Sequence, residues 1–243
     1  IIAQSESNTS KLFKTAETIY SAGGSTLCIQ AMLLLMKQEK RTVIAVRNVH
    51  RSFIAACALL DIQPIWIFPD YHGSILSGDF PYENAENILK KEKNACIYLT
   101  SPDYLGKTAD IRKISSLCRK YNAVLLVDNA HGAHMEALGM HPIQLGADLC
   151  CDSAHKTLPA LTGGAYLHIV NPNYTKKAKS AMSLFGSTSP SYLIMASLDL
   201  CAEYIAERLD YDLKECLTAL TSLRKRLSFK YNICLLYTSD AAD

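Results

Sequence analysis

The feature that most constrains this chain is the regular succession of short apolar runs, rich in β-branched residues, each followed by a stretch with helical periodicity. The runs 42–46, 64–68, 95–100 and 123–128 are almost uniformly apolar, so they read as strands buried on both faces. Segments 51–61, 82–93 and 110–121 carry helical spacing between them, and Asp110 stands where an N-cap belongs. Residues 25–38 are apolar enough for a buried helix, 147–152 and 164–170 are strand-like, and the sequence from 174 onward is mostly helical. Such alternation predicts one α/β domain. Its sheet is mostly parallel with helices on both faces, and its functional groups gather at the carboxyl ends of the strands.

Composition narrows the function classes. With 49% hydrophobic and 20% charged residues the chain lies outside the disordered regime. A net charge of +2 gives no field for a polyanion, so no nucleic-acid partner is expected. The longest apolar runs, such as 31–36, fall short of the roughly 18 residues of a membrane helix, and the opening residues carry no secretory signal. Nine cysteines, without a CxxC pair and mostly inside apolar patterns, read as reduced, buried thiols of a soluble cytoplasmic chain. The first residue is Ile1 rather than Met, which reads as a fragment edge.

Four groups stand near the expected strand ends. Gly23-Gly24-Ser25-Thr26 precedes a helix and could hold an anion on free N–H groups and hydroxyls, or could be a plain turn capped by Ser25. It lacks the Gly-Lys-Ser/Thr ending of a nucleotide-binding loop. Asp128 leaves an apolar strand at the ligand edge, where an unpaired charge is costly, so a cationic partner is expected. His50 follows another strand. Lys156 lies in a loop among Ser153, His155 and Thr157, donors suited to an anion. A lysine near a phosphate site and an acid near a ring nitrogen are what pyridoxal 5′-phosphate requires. A zinc site on His131 and His134 with Cys150 or Cys151 is the competing reading, weakened because adjacent cysteines on a strand point to opposite faces.

The segments Val46-Arg47-Asn48-Val49-His50-Arg51-Ser52, Thr100-Ser101-Pro102-Asp103-Tyr104-Leu105-Gly106, Val127-Asp128-Asn129-Ala130-His131-Gly132 and Ser153-Ala154-His155-Lys156-Thr157 resemble, in order and spacing, the Orn/Lys/Arg decarboxylase family. Ser187-Thr188-Ser189-Pro190-Ser191-Tyr192 is similar to its later Thr-Ser-Pro motif. The resemblance implies an aspartate aminotransferase-like large domain over residues 10–230, with pyridoxal phosphate as cofactor. It implies that Lys156 carries the cofactor, Asp128 faces the pyridine nitrogen and His50 stacks on the ring. Ser25, Thr26, Ser153 and His155 would bind the phosphate, with Thr188 reaching it from a neighbouring subunit, while Ala130 and His131 line the cofactor. The implied reaction is decarboxylation of lysine, ornithine or arginine to an amine of the polyamine type, by a homodimer or larger assembly.

Two departures accompany the likeness. Gly163-Gly164 stands where family members often have Gln-Ser/Ala, and residues 235–243 read as a non-native tail in place of the family's C-terminal region, which helps close the active site, so that the chain as given is expected to be inactive. An aminotransferase or carbon-sulfur lyase would use the same lysine and aspartate. A metal-dependent hydrolase or a non-catalytic module of the same fold also remains open at this point.

Overall fold

The computed structural model describes residues 1–71 and 75–231. The apolar runs pair into one seven-stranded sheet. Across the sheet the order is β1 (Glu17–Ser21), β9 (Ala165–Ile169), β8 (Leu149–Asp152), β7 (Val124–Asp128), β6 (Ala95–Thr100), β2 (Thr42–Val46) and β3 (Ile65–Ile67), numbered along the chain. Strands β3, β2, β6, β7 and β8 are parallel to one another, whereas β9 runs antiparallel to β8 and β1 antiparallel to β9. A small separate ribbon joins β4 (Asp70–Tyr71) to β5 (Gly78–Asp79).

Strand side chains alternate between faces, so neighbouring residues serve different cores. Leu126 and Cys151 join Met32, Phe53 and Tyr98 in a core shared with α2 (Gly24–Gln38), α3 (Arg51–Leu59) and α7 (Thr175–Phe185). Leu125, Val127 and Cys150 join Leu89, Ile114 and Cys118 beneath α4 (Tyr82–Lys91) and α5 (Ile111–Lys120). A third cluster holds Phe13, Tyr20, Tyr166 and Leu198 between the sheet, α1 (Ile2–Phe13) and α8 (Tyr192–Glu207). The single turn α6 (Ala154–Thr157) follows β8, and α9 (Leu209–Tyr231) follows α8.

The strands and helices expected from residue 25 to 170 all form, with ends within two residues of the expected ones. Asp110 caps α5, its Oδ1 accepting the Lys113 N–H at 3.0 Å. The sequence pattern did not reveal α1, β1 or the β4–β5 ribbon. Of the described cysteines, seven are buried; Cys216 is exposed, against expectation, because it lies on an outward face of α9. Cys234 and the expected tail, 235–243, lie outside the described residues. Among those described, no helix is long and apolar enough to cross a membrane.

From β6 the chain continues through β7 and β8 to one side, while β2 and β3 lie on the other. The direction of winding thus reverses between β2 and β6. In an open α/β sheet, the crevice outside the carboxyl ends of the strands at such a reversal is where a ligand fits.

Candidate active site

A pocket opens at that crevice, lined by His50 beyond β2, Thr100 and the Pro102–Asp103–Tyr104 turn beyond β6, and Asp128 and Ala130 at the end of β7. Ser25 at the start of α2, His131 and Lys156 complete it. Six of the residues singled out from sequence therefore meet in one place, although they come from four separate stretches of chain. A wider cleft lined by Asp70, Asp79, Tyr82 and Lys113 adjoins it through Thr100 and Asp103.

Asp128 is fully buried and has no ion-pair partner among the described residues. The cationic partner expected from sequence is replaced by three neutral donors. The Ala130 N–H donates to Oδ1 at 3.2 Å, the Cys151 thiol to Oδ1 at 3.6 Å and the Tyr98 hydroxyl to Oδ2 at 3.3 Å. All three are long. Burial pushes the carboxyl above its ordinary value, and the Ala130 and Cys151 donors, with Lys156 and His50 nearby, pull it back only in part. A carboxylate so placed is held only by long contacts, and its remaining acceptor capacity belongs to the pocket it lines.

Lys156 is exposed on α6, and its Nζ lies 3.3 Å from His131 Nε2. Burial lowers the His131 imidazole, and Lys156 and His50 push it the same way, so the ring is a neutral acceptor for the ammonium. His50 is also the N-cap of α3. Its Nδ1 accepts the Ser52 N–H at 3.2 Å, which turns the remainder of the ring toward the pocket. Capping α3 and lining the pocket coexist in one side chain.

Ser25 brings the first turn of α2 to the pocket rim, where unpaired N–H groups and the helix dipole favour an anion. Ser153, at the N-cap of α6, lies 3.3 Å from His155 Nδ1, and that nitrogen lies 3.1 Å from the Gly164 carbonyl oxygen. The unexpected Gly163-Gly164 pair has a structural reason. Gly163 adopts φ +94° and accepts the Gly24 N–H at 2.8 Å, and a Cβ there would stand 3.2 Å from the Ala22 oxygen. The turn thereby ties the start of α2 to the loop carrying His155.

Four of the expected residues do not line the pocket: Ser153 is buried at the start of α6 with His155, half-buried, beside it, and Thr26 and Thr188 fall elsewhere. The Thr26 side chain, one residue further round α2, is exposed on a groove it shares with Ser187, Ser189 and Pro190. Thr188 is exposed on that same segment and does not line the pocket of its own chain. The zinc reading is also redirected. Among the described residues, the group whose ligand atoms lie within 4.8 Å of one another is His141, Cys150 and Asp152 rather than one built on His131 and His134. There the His141 Nδ1 accepts the Ile143 N–H at 3.3 Å, which leaves Nε2 as the protonated nitrogen that donates to Asp152. Its lone pair is not available to an ion.

The sequence reading missed Tyr98, Asn129, His141, Asp152 and His168. Asp152 is buried with His141 Nε2 at 2.9 Å and His168 Nε2 at 3.1 Å, and it accepts the Asn129 Nδ2–H at 2.7 Å. The available signal was His168 inside the apolar run Ala165–Ile169, since a polar side chain buried in a strand needs a partner.

Residues 1–240 match the family described as Orn/Lys/Arg decarboxylase, major domain, a match that runs into the expected tail. Uncharacterized protein YaaO of Bacillus subtilis (strain 168) is 33% identical over 212 residues, covering 84% of this chain and 44% of that protein. The arginine decarboxylase of the same organism is 29% identical over 234 residues, covering 94% and 48%. Lysine decarboxylase A from Pseudomonas aeruginosa shares the fold with a TM-score of 0.78 at 20% identity, covering 93% of this chain and 34% of that one. The chain thus spans about half the length of the curated relatives it matches. The sheet order, the pocket at its point of reversal and these similarities agree with an aspartate aminotransferase-like fold, and the chain belongs to the Orn/Lys/Arg decarboxylase family, within its major domain.

Proposed function

We propose that this chain is the cofactor-binding part of a pyridoxal-phosphate-dependent decarboxylase of a basic amino acid: lysine, ornithine or arginine. The observation that carries the reading is the under-satisfied Asp128 carboxylate, sharing one pocket with the Lys156 amine and an anion-favouring helix start. That donor set fits the cofactor. Asp128 would hold a proton on the pyridine nitrogen, His50 would face the ring, and Ala130 would lie against it. Ser25, the N–H groups at the start of α2, Ser153 and His155 would hold the phosphate. When bound, the cofactor supplies an electron-poor ring that takes up the electron pair left at Cα as CO₂ departs.

The chain's own groups then have distinct tasks. Lys156 would hold the cofactor and yield its place to the substrate amine, and His131, 3.3 Å from Nζ, would orient that amine through its ring nitrogen. Asp128, enclosed by apolar strand residues, keeps its charge directed at the ring nitrogen instead of at water. The separation of Thr188 and Thr26 from this pocket supports a second copy contributing Thr188 across the groove beside Ser187 and Pro190. Assembly as a homodimer or larger oligomer, and a cytoplasmic setting for the buried thiols, belong to the same proposal.

The test is to add pyridoxal phosphate to the protein holding this chain, reduce with borohydride and map the pyridoxyl group. Label on Lys156 is expected, together with CO₂ and an amine from a basic amino acid. Label on a different lysine, or keto acid or sulfide in place of CO₂, would overturn it.

A further inference from the structure

Behind the pocket, on the opposite face of β7 and β8, lies a second buried polar cluster that binds no part of the pocket directly. Asp152 is its centre, with His141 from the loop before β8, His168 from β9 and Asn129 from the end of β7 around it. His168 Nδ1 lies 3.0 Å from Thr18 Oγ1 on β1, and the Phe13 ring of α1 covers both imidazoles at 4.2 and 5.1 Å between centroids. The contacts assign both imidazoles as neutral donors: Ile143 occupies Nδ1 of His141, and burial lowers His168 despite the neighbouring carboxylate. Asp152 thus keeps its negative charge on three N–H donors and the Cys150 thiol, 3.7 Å from Oδ1. A buried carboxylate without a cation is an expensive way to fill a core, where apolar residues of the same volume serve as well.

Its place in the chain gives the charge a use. Asp152 closes β8, and the next residues are Ser153, which caps α6, and the turn that carries Lys156. Asn129 immediately follows Asp128, and its backbone N–H bonds to the Cys151 carbonyl at 2.9 Å while its side chain reaches Asp152. Asp128 faces the pocket and Asn129 the cluster, so the two carboxylates share a two-residue hinge.

We propose that Asp152 is a positioning residue, whose bond to Asn129 fixes the Lys156 turn against the end of β7, so that the Lys156 amine and the Asp128 carboxylate meet the cofactor at a set separation. The inference rests on the cofactor reading above. Asp152 touches neither cofactor nor substrate and acts through the two strand ends.

The protein holding this chain, with Asp152→Asn and Asn129→Ala variants, is treated with a limiting amount of pyridoxal phosphate, reduced and mapped, and the visible band of the bound cofactor is recorded before reduction. Melting midpoints establish which samples are folded. Asn129→Ala deletes one amide and leaves both imidazoles on Asp152, so it retains the fold even where Asp152→Asn does not. In folded Asn129→Ala, label on Lys156 is expected to fall about ten-fold relative to other lysines and the visible band to shift, as a displacement on the order of 1 Å does to a positioned group. Folded Asn129→Ala with wild-type labelling and an unshifted band overturns the positioning role and leaves the cofactor reading standing. Wild-type protein that carries no label on Lys156 takes both down.

Discussion

Asp128 and Asp152 close adjacent parallel strands, one residue apart in register, and both are fully enclosed; yet they settle in opposite states. Asp128 meets three long contacts from a thiol, a phenol and one N–H, and burial drives its carboxyl up. Burial acts on Asp152 as well, but the two imidazoles facing it more than offset that and hold its carboxyl well below the usual carboxylate range. Both stand at the carboxyl end of a central strand. Donor quality separates them: the carboxylate with three long contacts opens on the pocket, and the one given three N–H groups at 2.7–3.1 Å binds the frame behind it.

The largest effect expected from this contrast is on stability. Asp152→Ala strands two imidazole N–H groups and the Asn129 amide in the interior, and should cost about 3–5 kcal/mol, measured by urea unfolding. Asp128→Asn should cost nothing in the cofactor-free chain and raise its stability by roughly 1 kcal/mol, since a neutral group of equal volume replaces a poorly solvated charge. If the two substitutions prove equally damaging, the distinction between ligand-facing and frame carboxylate fails.

Turnover reverses the ranking of the two residues. In the full protein, Asp128→Asn should lower the rate of CO₂ release about 10²-fold or more, equivalent to about 2.7 kcal/mol, because an amide cannot keep the proton on the cofactor's ring nitrogen. Steady-state rates near wild type in this variant would remove Asp128 from the chemistry.

How far such roles could be read from sequence follows from where the signal lies. Strands β2, β6 and β7 are near-continuous apolar runs, so their existence and the parallel sheet were legible. Lys156, Asp128 and His50 were legible because each breaks an apolar or loop pattern at a strand end. Strand β1 was not, since Glu17, Thr18 and Ser21 dilute its apolar signal and its partner β9 lies far along the chain, Thr18 meeting His168 150 residues on. The Asp152 cluster was not either. Its members come from five segments and become neighbours only after the sheet forms, and no spacing in the sequence links His141 to His168. Thr26 shows the limit of motif transfer: the residue belongs to the right helix start, but a helix turns about 100° per residue and carries its side chain onto the next groove.

Acid should separate the two aspartates further. His168 has its imidazole lowered from 6.5, so the unfolded chain takes up that proton more readily, and the stability His168 provides is lost as pH falls below about 6.5. Asp152, lowered from 3.8, contributes stability that is present above that value and lost as pH falls beneath it. Asp128, raised from 3.8, works in the other sense: its contribution is complete below 3.8 and is lost as pH rises through its folded-state value. Wild-type protein should therefore lose stability on acidification from pH 7 to 4, and Asp128→Asn should lose it more steeply because the opposing contribution is gone. Unfolding midpoints across this range decide the matter, and a shallower slope in Asp128→Asn contradicts the assigned sign.

The smallest expected effect sharpens the contrast at a single hydrogen bond. Tyr98 is fully buried, and burial beside Asp128 raises its phenol so far that the hydroxyl stays protonated and can only donate to the carboxylate. Tyr98→Phe removes that donor while the ring keeps its place against Phe53, 4.3 Å away between centroids. A bond as long as this contributes about 0.5–1 kcal/mol, so the fold should be nearly unchanged and turnover should fall only a few-fold. The informative quantity is the Asp128 carboxyl itself. It loses one of three donors that favour its charged form, so it should rise further, and carboxyl-carbon NMR of the cofactor-free protein should place its titration at higher pH than in wild type. The Asp152 carboxyl, on the other face with its own donors intact, should not move in the same spectra. A titration of Asp128 that stays put or moves down would mean that Tyr98 does not hold this carboxylate, and its under-supply would then have to be explained by Ala130 and Cys151 alone.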